Sequence, residues 1–192
     1  IRLAQLSADA DTAHVATLSL WQQRYLTRSQ VAAQQARPEM RYIHPDVRAE
    51  WAAAANALFA RYTDEQLELL DLQHDEDYRI LTDLSDTGAE IPTGTVARNP
   101  YVLFGFSMHE ELEHYVAAGL SEMEALHWAT YGAAKFLGKD AEIGRIQSGM
   151  EADLILLNAD PSNDIANIGK ISAVFVDGKR YTRGELDSAL EA

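Results

Sequence analysis

Apolar residues recur along most of this chain at helical spacing. Ile1, Leu3 and Leu6, followed by Ala8 and Ala10, open it inside an amphipathic pattern that predicts the end of a helix over residues 1–12. Residues 14–21, H-V-A-T-L-S-L-W, are short, apolar and partly β-branched, which predicts a buried strand. Residues 22–36 have helix-forming composition, and the two prolines of R-P-E-M-R-Y-I-H-P at 37–45 interrupt it with a loop. Asp46 is placed to cap a helix whose interior is the Ala-rich run 51–62. Thr63 with Gln66 forms a capping-box pattern for a further helix ending near Tyr78, with Leu67, Leu70 and Leu72 turned inward. Ile80 and Leu81 then predict a second buried strand from residue 79, running into Asp83 and Asp86 and followed by a Gly-, Pro- and Thr-rich loop.

Ser107 with Glu110 and Ser121 with Glu124 mark two more helix starts, closed by Gly119 and Gly138. From Ile143 the texture turns to strand: residues 153–158 and 171–176 are apolar and short, Asp177-Gly178 predicts a hairpin turn, and residues 179–182 return as its partner. Residues 184–192 predict a short terminal helix. The order of strand, helices, strand, helices and a β-rich end fits an α/β fold with parallel βα units. Two such units neither close a barrel nor cover both faces of an open sheet. A partner segment is therefore expected, and the start at Ile1, without a Met, reads as cut.

Composition narrows the partners more than the chemistry. The 192 residues carry 30 acids against 16 bases, a formal net charge of −14, which speaks against nucleic acid or an anionic membrane as partner because both need a basic face. No cysteine is present, so disulfides, thiolate metal sites and cysteine nucleophiles are excluded. No apolar run approaches the roughly 20 residues of a membrane helix. The compartment stays open, with a soluble cytoplasmic protein as the default.

Acids at the carboxyl end of a buried strand suit catalysis in a parallel α/β protein, where strand ends face the ligand crevice; Asp83 and Asp86 both meet that description. His109-Glu110 through His114 invites comparison with the H-E-x-x-H zinc helix, but these histidines stand five residues apart and diverge by about 140° around the axis. His109, in the first turn beside the acidic loop, and Tyr42 in the loop 37–45 remain candidates for touching a substrate, as does Glu90. No G-x-S-x-G, P-loop or G-x-G-x-x-G is present. Read from the residues alone, the chain is part of an α/β hydrolase-like domain.

Several motifs in fixed order carry the reading further. Residues 85–88 read S-D-T-G, 107–113 read S-M-H-E-E-L-E, and 118–120 read A-G-L. Residues 124–138 read E-A-L-H-W-A-T-Y-G-A-A-K-F-L-G, 143–161 read I-G-R-I-Q-S-G-M-E-A-D-L-I-L-L-N-A-D-P, and 174–179 read V-F-V-D-G-K. This series resembles the C-terminal third of the amidohydrolase superfamily, in its imidazolonepropionase-like and prolidase-related branch. There a strand ending G-T-D or G-S-D precedes a helix of the S-x-H-E-E-L-E type. Residues 15–20, V-A-T-L-S-L, are similar to that family's seventh-strand V-P-T-L.

The resemblance implies the C-terminal part of a metal-dependent hydrolase with a (β/α)8 TIM barrel. Residues 1–140 would supply the last two strands and their helices, and 141–192 the C-terminal strands of a small β-sandwich. It implies hydrolysis of an amide or other C–N bond, in a dipeptide, an N-acyl compound or a cyclic amide, by water activated on one or two divalent ions, zinc by preference. The family's last metal ligand and proton shuttle is the strand-eight Asp, which maps to Asp86 with Asp83 as its neighbour and competitor. The other ligands fall outside these residues, so this chain by itself is expected to bind no metal. Its expected partners are a small amide or peptide substrate and the missing N-terminal part of the same protein. An exposed edge would also favour self-association, and the alternative reading is a self-associating fragment without hydrolase activity.

Overall fold

Helix periodicity dominates the fold as it dominates the sequence, and the strands are confined to the C-terminal third. The structure, a computed structural model, describes residues 2–191. Helices α1 (Arg2–Asp9), α2 (Leu18–Gln22), α3 (Arg28–Gln35), α4 (Pro45–Phe59), α5 (Asp64–Asp71) and α6 (Gln73–Asp86) form the first half, with a 3-10 turn at Pro38–Tyr42. Helices α7 (Phe106–Ala117), α8 (Glu122–Ala129) and α9 (Tyr131–Phe136) follow. The chain then forms β1 (Leu154–Leu157), a 3-10 turn at Ile165–Gly169, β2 (Ile171–Val176), β3 (Lys179–Thr182) and α10 (Arg183–Glu191).

Local signals that need only neighbouring residues hold. Thr63 and Gln66 close a reciprocal capping box on α5, and Ser121 and Glu124 do the same on α8. Gly119 (φ 104°) and Gly138 (φ 66°) follow α7 and α9, where a left-handed residue ends the helix. At Asp177-Gly178 both φ values are positive, 50° and 74°, as a two-residue hairpin turn with right-handed strand twist requires. The sheet is antiparallel in order β1-β2-β3, with Leu154 opposite Phe175 and Val176 opposite Lys179.

The two internal strands are a correction. Residues 14–17 are irregular and 18–22 are helical, while the expected strand from residue 79 to Asp86 is the second half of α6. The run Arg79-Ile80-Leu81 continues a helical face through Leu81 and Leu84, both buried, with Ile80 outside. That is a period of three to four rather than two. Two further starts move, and one expected helix divides. Gly105 rather than Ser107 stands at the N-cap of α7, His44 rather than Asp46 at that of α4, and the helix expected from Ser121 to Gly138 breaks at Thr130.

Two apolar cores result. One joins Leu18, Leu81, Leu84, Ile91, Leu112, Tyr115 and Ala125 with Ile165 and Ile168 of the second 3-10 turn. The other joins Leu26, Val31, Met40, Trp51, Ala55, Tyr101 and Leu103. Among the described residues no helix is long and apolar enough to cross a membrane.

Candidate functional site

Residues 12–17 and 89–96 are irregular, yet they lie side by side. The His14 N–H donates to the Glu90 carbonyl at 2.8 Å, and a Cβ placed on Gly94 would meet Val15 Cγ1 at 2.5 Å. Residue numbers rise together along both runs, so they advance in one direction, as parallel neighbours joined by a helical crossover do. The bulk of Val15 is what requires glycine at position 94.

Both runs end in backbone strain. Thr17 at the mouth of α2 has φ 52°, and Val96, Arg98 and Tyr101 have φ of 50°, 88° and 64°. A β-branched residue at positive φ is an outlier, and such strain persists where the surroundings over-determine it, a situation common at functional sites. The second of these ends adjoins a cleft of about 310 Å³ between α2, α3, α4 and residues 99–101. Trp21, Leu26, Val31, Trp51 and Tyr101 line it, with the Trp51 ring edge-on to Tyr101 at 5.6 Å. Arg24 stands at its rim over the rings of Trp21 (4.9 Å) and Tyr25 (5.4 Å). Its guanidinium forms no ion pair among the described residues.

A buried polar network fixes the parts around this cleft. Thr17 gives α2 no side-chain cap; instead Glu111 of α7 accepts the N–H groups of Leu18 (2.9 Å) and Ser19 (2.7 Å). The Ser19 hydroxyl is shared between Glu111 Oε2 (2.8 Å) and the Ser107 carbonyl (2.9 Å). Ser107 Oγ accepts the Leu103 N–H (2.9 Å) and donates to Glu110 (2.8 Å), which pairs with Arg37 at 2.6 Å. Burial pushes the Glu111 carboxyl above its ordinary value, and the three donors from Leu18 and Ser19 oppose that shift. On the next turn the Tyr115 hydroxyl donates to the Ile91 carbonyl at 3.0 Å, and burial raises its pKa. Thus α7 holds α2 with one carboxylate and the run 89–96 with one phenol.

The residues singled out in the sequence are dispersed. Asp86 is the exposed last residue of α6, ahead of the run 89–96, whereas the cleft adjoins the far end of that run. The strand end on which its role depended is a helix end. Asp83 lies on the same helix, and its carbonyl accepts the Thr87 N–H. His109 is half-buried on α7 near Gly169, and burial lowers its pKa. Tyr42 stacks on Phe106 at 6.0 Å, and Glu90 is ion-paired with Lys135. None of these lines the cleft. Among the described residues no three His, Cys, Asp or Glu side chains converge to hold a metal, so the donor set does not fit the divalent ion that the resemblance implies.

An α/β chain with a cleft beyond the carboxyl ends of two aligned runs is the geometry in which ligands of parallel α/β proteins sit. The sequence profile of the amidohydrolase family matches residues 11–181, and the chain belongs to that family. No curated protein matches it. Among solved structures, one titled as a putative prolidase from Bifidobacterium longum is 28% identical, with a TM-score of 0.63 over 94% of this chain and 39% of its own. Bottromycin amidohydrolase is 26% identical, with a TM-score of 0.69 over 92% of this chain and 38% of its own. A Xaa-Pro dipeptidase with methionine bound in its active site shares the fold at 21% identity and a TM-score of 0.62, over 95% of this chain and 37% of its own. The chain therefore spans less than two fifths of the length of each of these structures.

Residues 94–96 close the second irregular run, ahead of the cleft-lining residues 99–101. They read G-T-V, upstream of the loop that leads to the S-M-H-E-E-L-E helix. The tripeptide S-D-T at 85–87 carries an acid but belongs to the end of α6.

Proposed function

We propose that this chain is the C-terminal part of a hydrolase acting on a C–N bond, in a dipeptide, N-acyl or cyclic amide substrate. The observation that carries the reading is the family match over residues 11–181, with the cleft at the ends of the two aligned runs. In this reading residues 1–140 belong to the barrel and 141–192 to a sandwich domain shared with the other end of the protein. The other walls of the site, and ligands for a divalent ion such as zinc, come from outside these 192 residues. In this reading the chain's part is to bind and orient substrate and keep water off one side of it.

One observation favours a second reading, a chain that binds but does not hydrolyse: the run 89–96 ends in Val96, which carries no group that takes or returns a proton. The test is an assay of the protein, expressed with all the sequence its gene encodes, against N-acyl amino acids, dipeptides and cyclic amides with zinc added. Release of free amine that a chelator abolishes supports the hydrolase. Binding of the same compounds without turnover supports the second reading.

A further inference from the structure

The cleft between α2, α3 and α4 combines an aromatic lining with a single cation at its rim. Its volume of about 310 Å³ lies at the small end of ligand sites, which run to about 1,000 Å³. Two indoles and a phenol ring it, with aliphatic Leu26 and Val31 behind them. Its single cation is Arg24, stacked over Trp21 and Tyr25 and without an acid partner among the described residues. In a chain with net charge −14, an unpaired guanidinium on an aromatic rim is the local exception. Planar, bidentate N–H donors match a carboxylate.

We propose that this cleft binds a small molecule carrying a flat or branched apolar group and a terminal carboxylate. The apolar group lies against Trp21 and the accessible edges of Trp51 and Tyr101, and the carboxylate on Arg24. The strained stretch around Tyr101 fits this arrangement: its φ of 64° belongs to a backbone held in place, and its ring forms the cleft wall. The inference rests on reading this cleft as the substrate side of the proposed amide hydrolase, and it names the substrate class as anionic and apolar at that end. Arg24 serves there as a specificity-determining residue and takes no part in bond cleavage.

The test uses 4-phenylbutanoate, which contains no amide bond, so binding is read whether or not the protein hydrolyses anything. Indole N–H signals in ¹⁵N-edited NMR report the site, because Trp21 and Trp51 line the cleft while Trp128 packs against the other core and serves as an internal control. The expected result is a saturable shift of the Trp21 and Trp51 signals with Trp128 unmoved. Affinity should be about fivefold tighter for the carboxylate than for neutral 4-phenylbutan-1-ol, as an exposed ion pair of modest strength gives. Arg24→Gln should remove the preference for the carboxylate and leave the alcohol's affinity unchanged. Ala54→Phe, at an exposed Ala on the cleft wall, should weaken both.

Absence of the indole shifts in the unsubstituted protein, or equal affinity for the two probes, overturns the proposal. Binding that Arg24→Gln leaves just as selective also overturns it. If amide hydrolysis is found while these probes fail, the cleft assignment falls and the hydrolase reading stands. Probe binding without any hydrolysis has the opposite meaning.

Discussion

The Ser19 hydroxyl lies 2.8 Å from the Glu111 carboxylate, across 92 residues of sequence, and both side chains are fully buried. With the Leu18 and Ser19 amides, this makes Glu111 the N-terminal cap of a helix that has none of its own. A carboxylate suits that place because the first amides of a helix point outward unsatisfied and carry partial positive charge. Ser19→Ala removes one of these bonds and is expected to destabilise by about 1–2 kcal/mol. Glu111→Ala strands all three donors and should cost about 3 kcal/mol or more. Urea denaturation followed by far-UV circular dichroism measures both.

The pH dependence follows from the same group. Burial raises the Glu111 pKa in the folded chain above its ordinary value of 4.5, so the folded state binds more protons than the unfolded state above that pH. Its contribution to stability is therefore full below 4.5 and is lost as pH rises through the folded-state value. In Glu111→Gln that part of the slope should vanish. Parallel urea titrations of both proteins between pH 4 and 8 give the comparison, and identical slopes would refute the assignment.

Gly94 against Val15 gives a paired test. Gly94→Ala places a methyl 2.5 Å from Val15 Cγ1 and should destabilise by about 1–3 kcal/mol, the usual cost of overpacking. Adding Val15→Ala should recover most of the loss, because the clash is with that side chain and not with backbone. A double-mutant cycle in thermal or urea unfolding reads the coupling.

Val96→Asp tests strain and chemistry together. Asp tolerates φ near 50° better than a β-branched residue, so the substitution should stabilise by up to about 1 kcal/mol. It also places an acid at the end of the run 89–96. In the full gene product, a rise in amide hydrolysis over the Val96 protein would identify this position as that of the missing proton carrier.

Asp86→Asn should change little. An exposed residue at a helix end away from the cleft predicts a stability change within about 0.5 kcal/mol and unchanged turnover in the full gene product. Loss of activity in Asp86→Asn would return the acid's role to this residue.

What the sequence alone determined was whatever depends on a few adjacent residues. The capping boxes at Thr63 and Ser121, the left-handed glycines 119 and 138, and the hairpin at Asp177-Gly178 are short-range energetics, and the structure keeps them. The ordered motifs from residue 85 to 179 identified the family for the same reason, since side-chain patterns survive without their partners. Strand or helix at 79–86 was not decided by so short an apolar run, because Ile80-Leu81 fits either period. The choice fell to Leu81 and Leu84, which together reach the core only on a helix. The cleft was legible only after folding. Trp21, Arg24, Trp51 and Tyr101 are spread over 80 positions without a motif; Glu111 caps the helix that carries Trp21 from another helix, and the second core packs Trp51 against Tyr101. A buried carboxylate in search of donors has no sequence signature; its partners are chosen by the packing that excludes water from all of them at once.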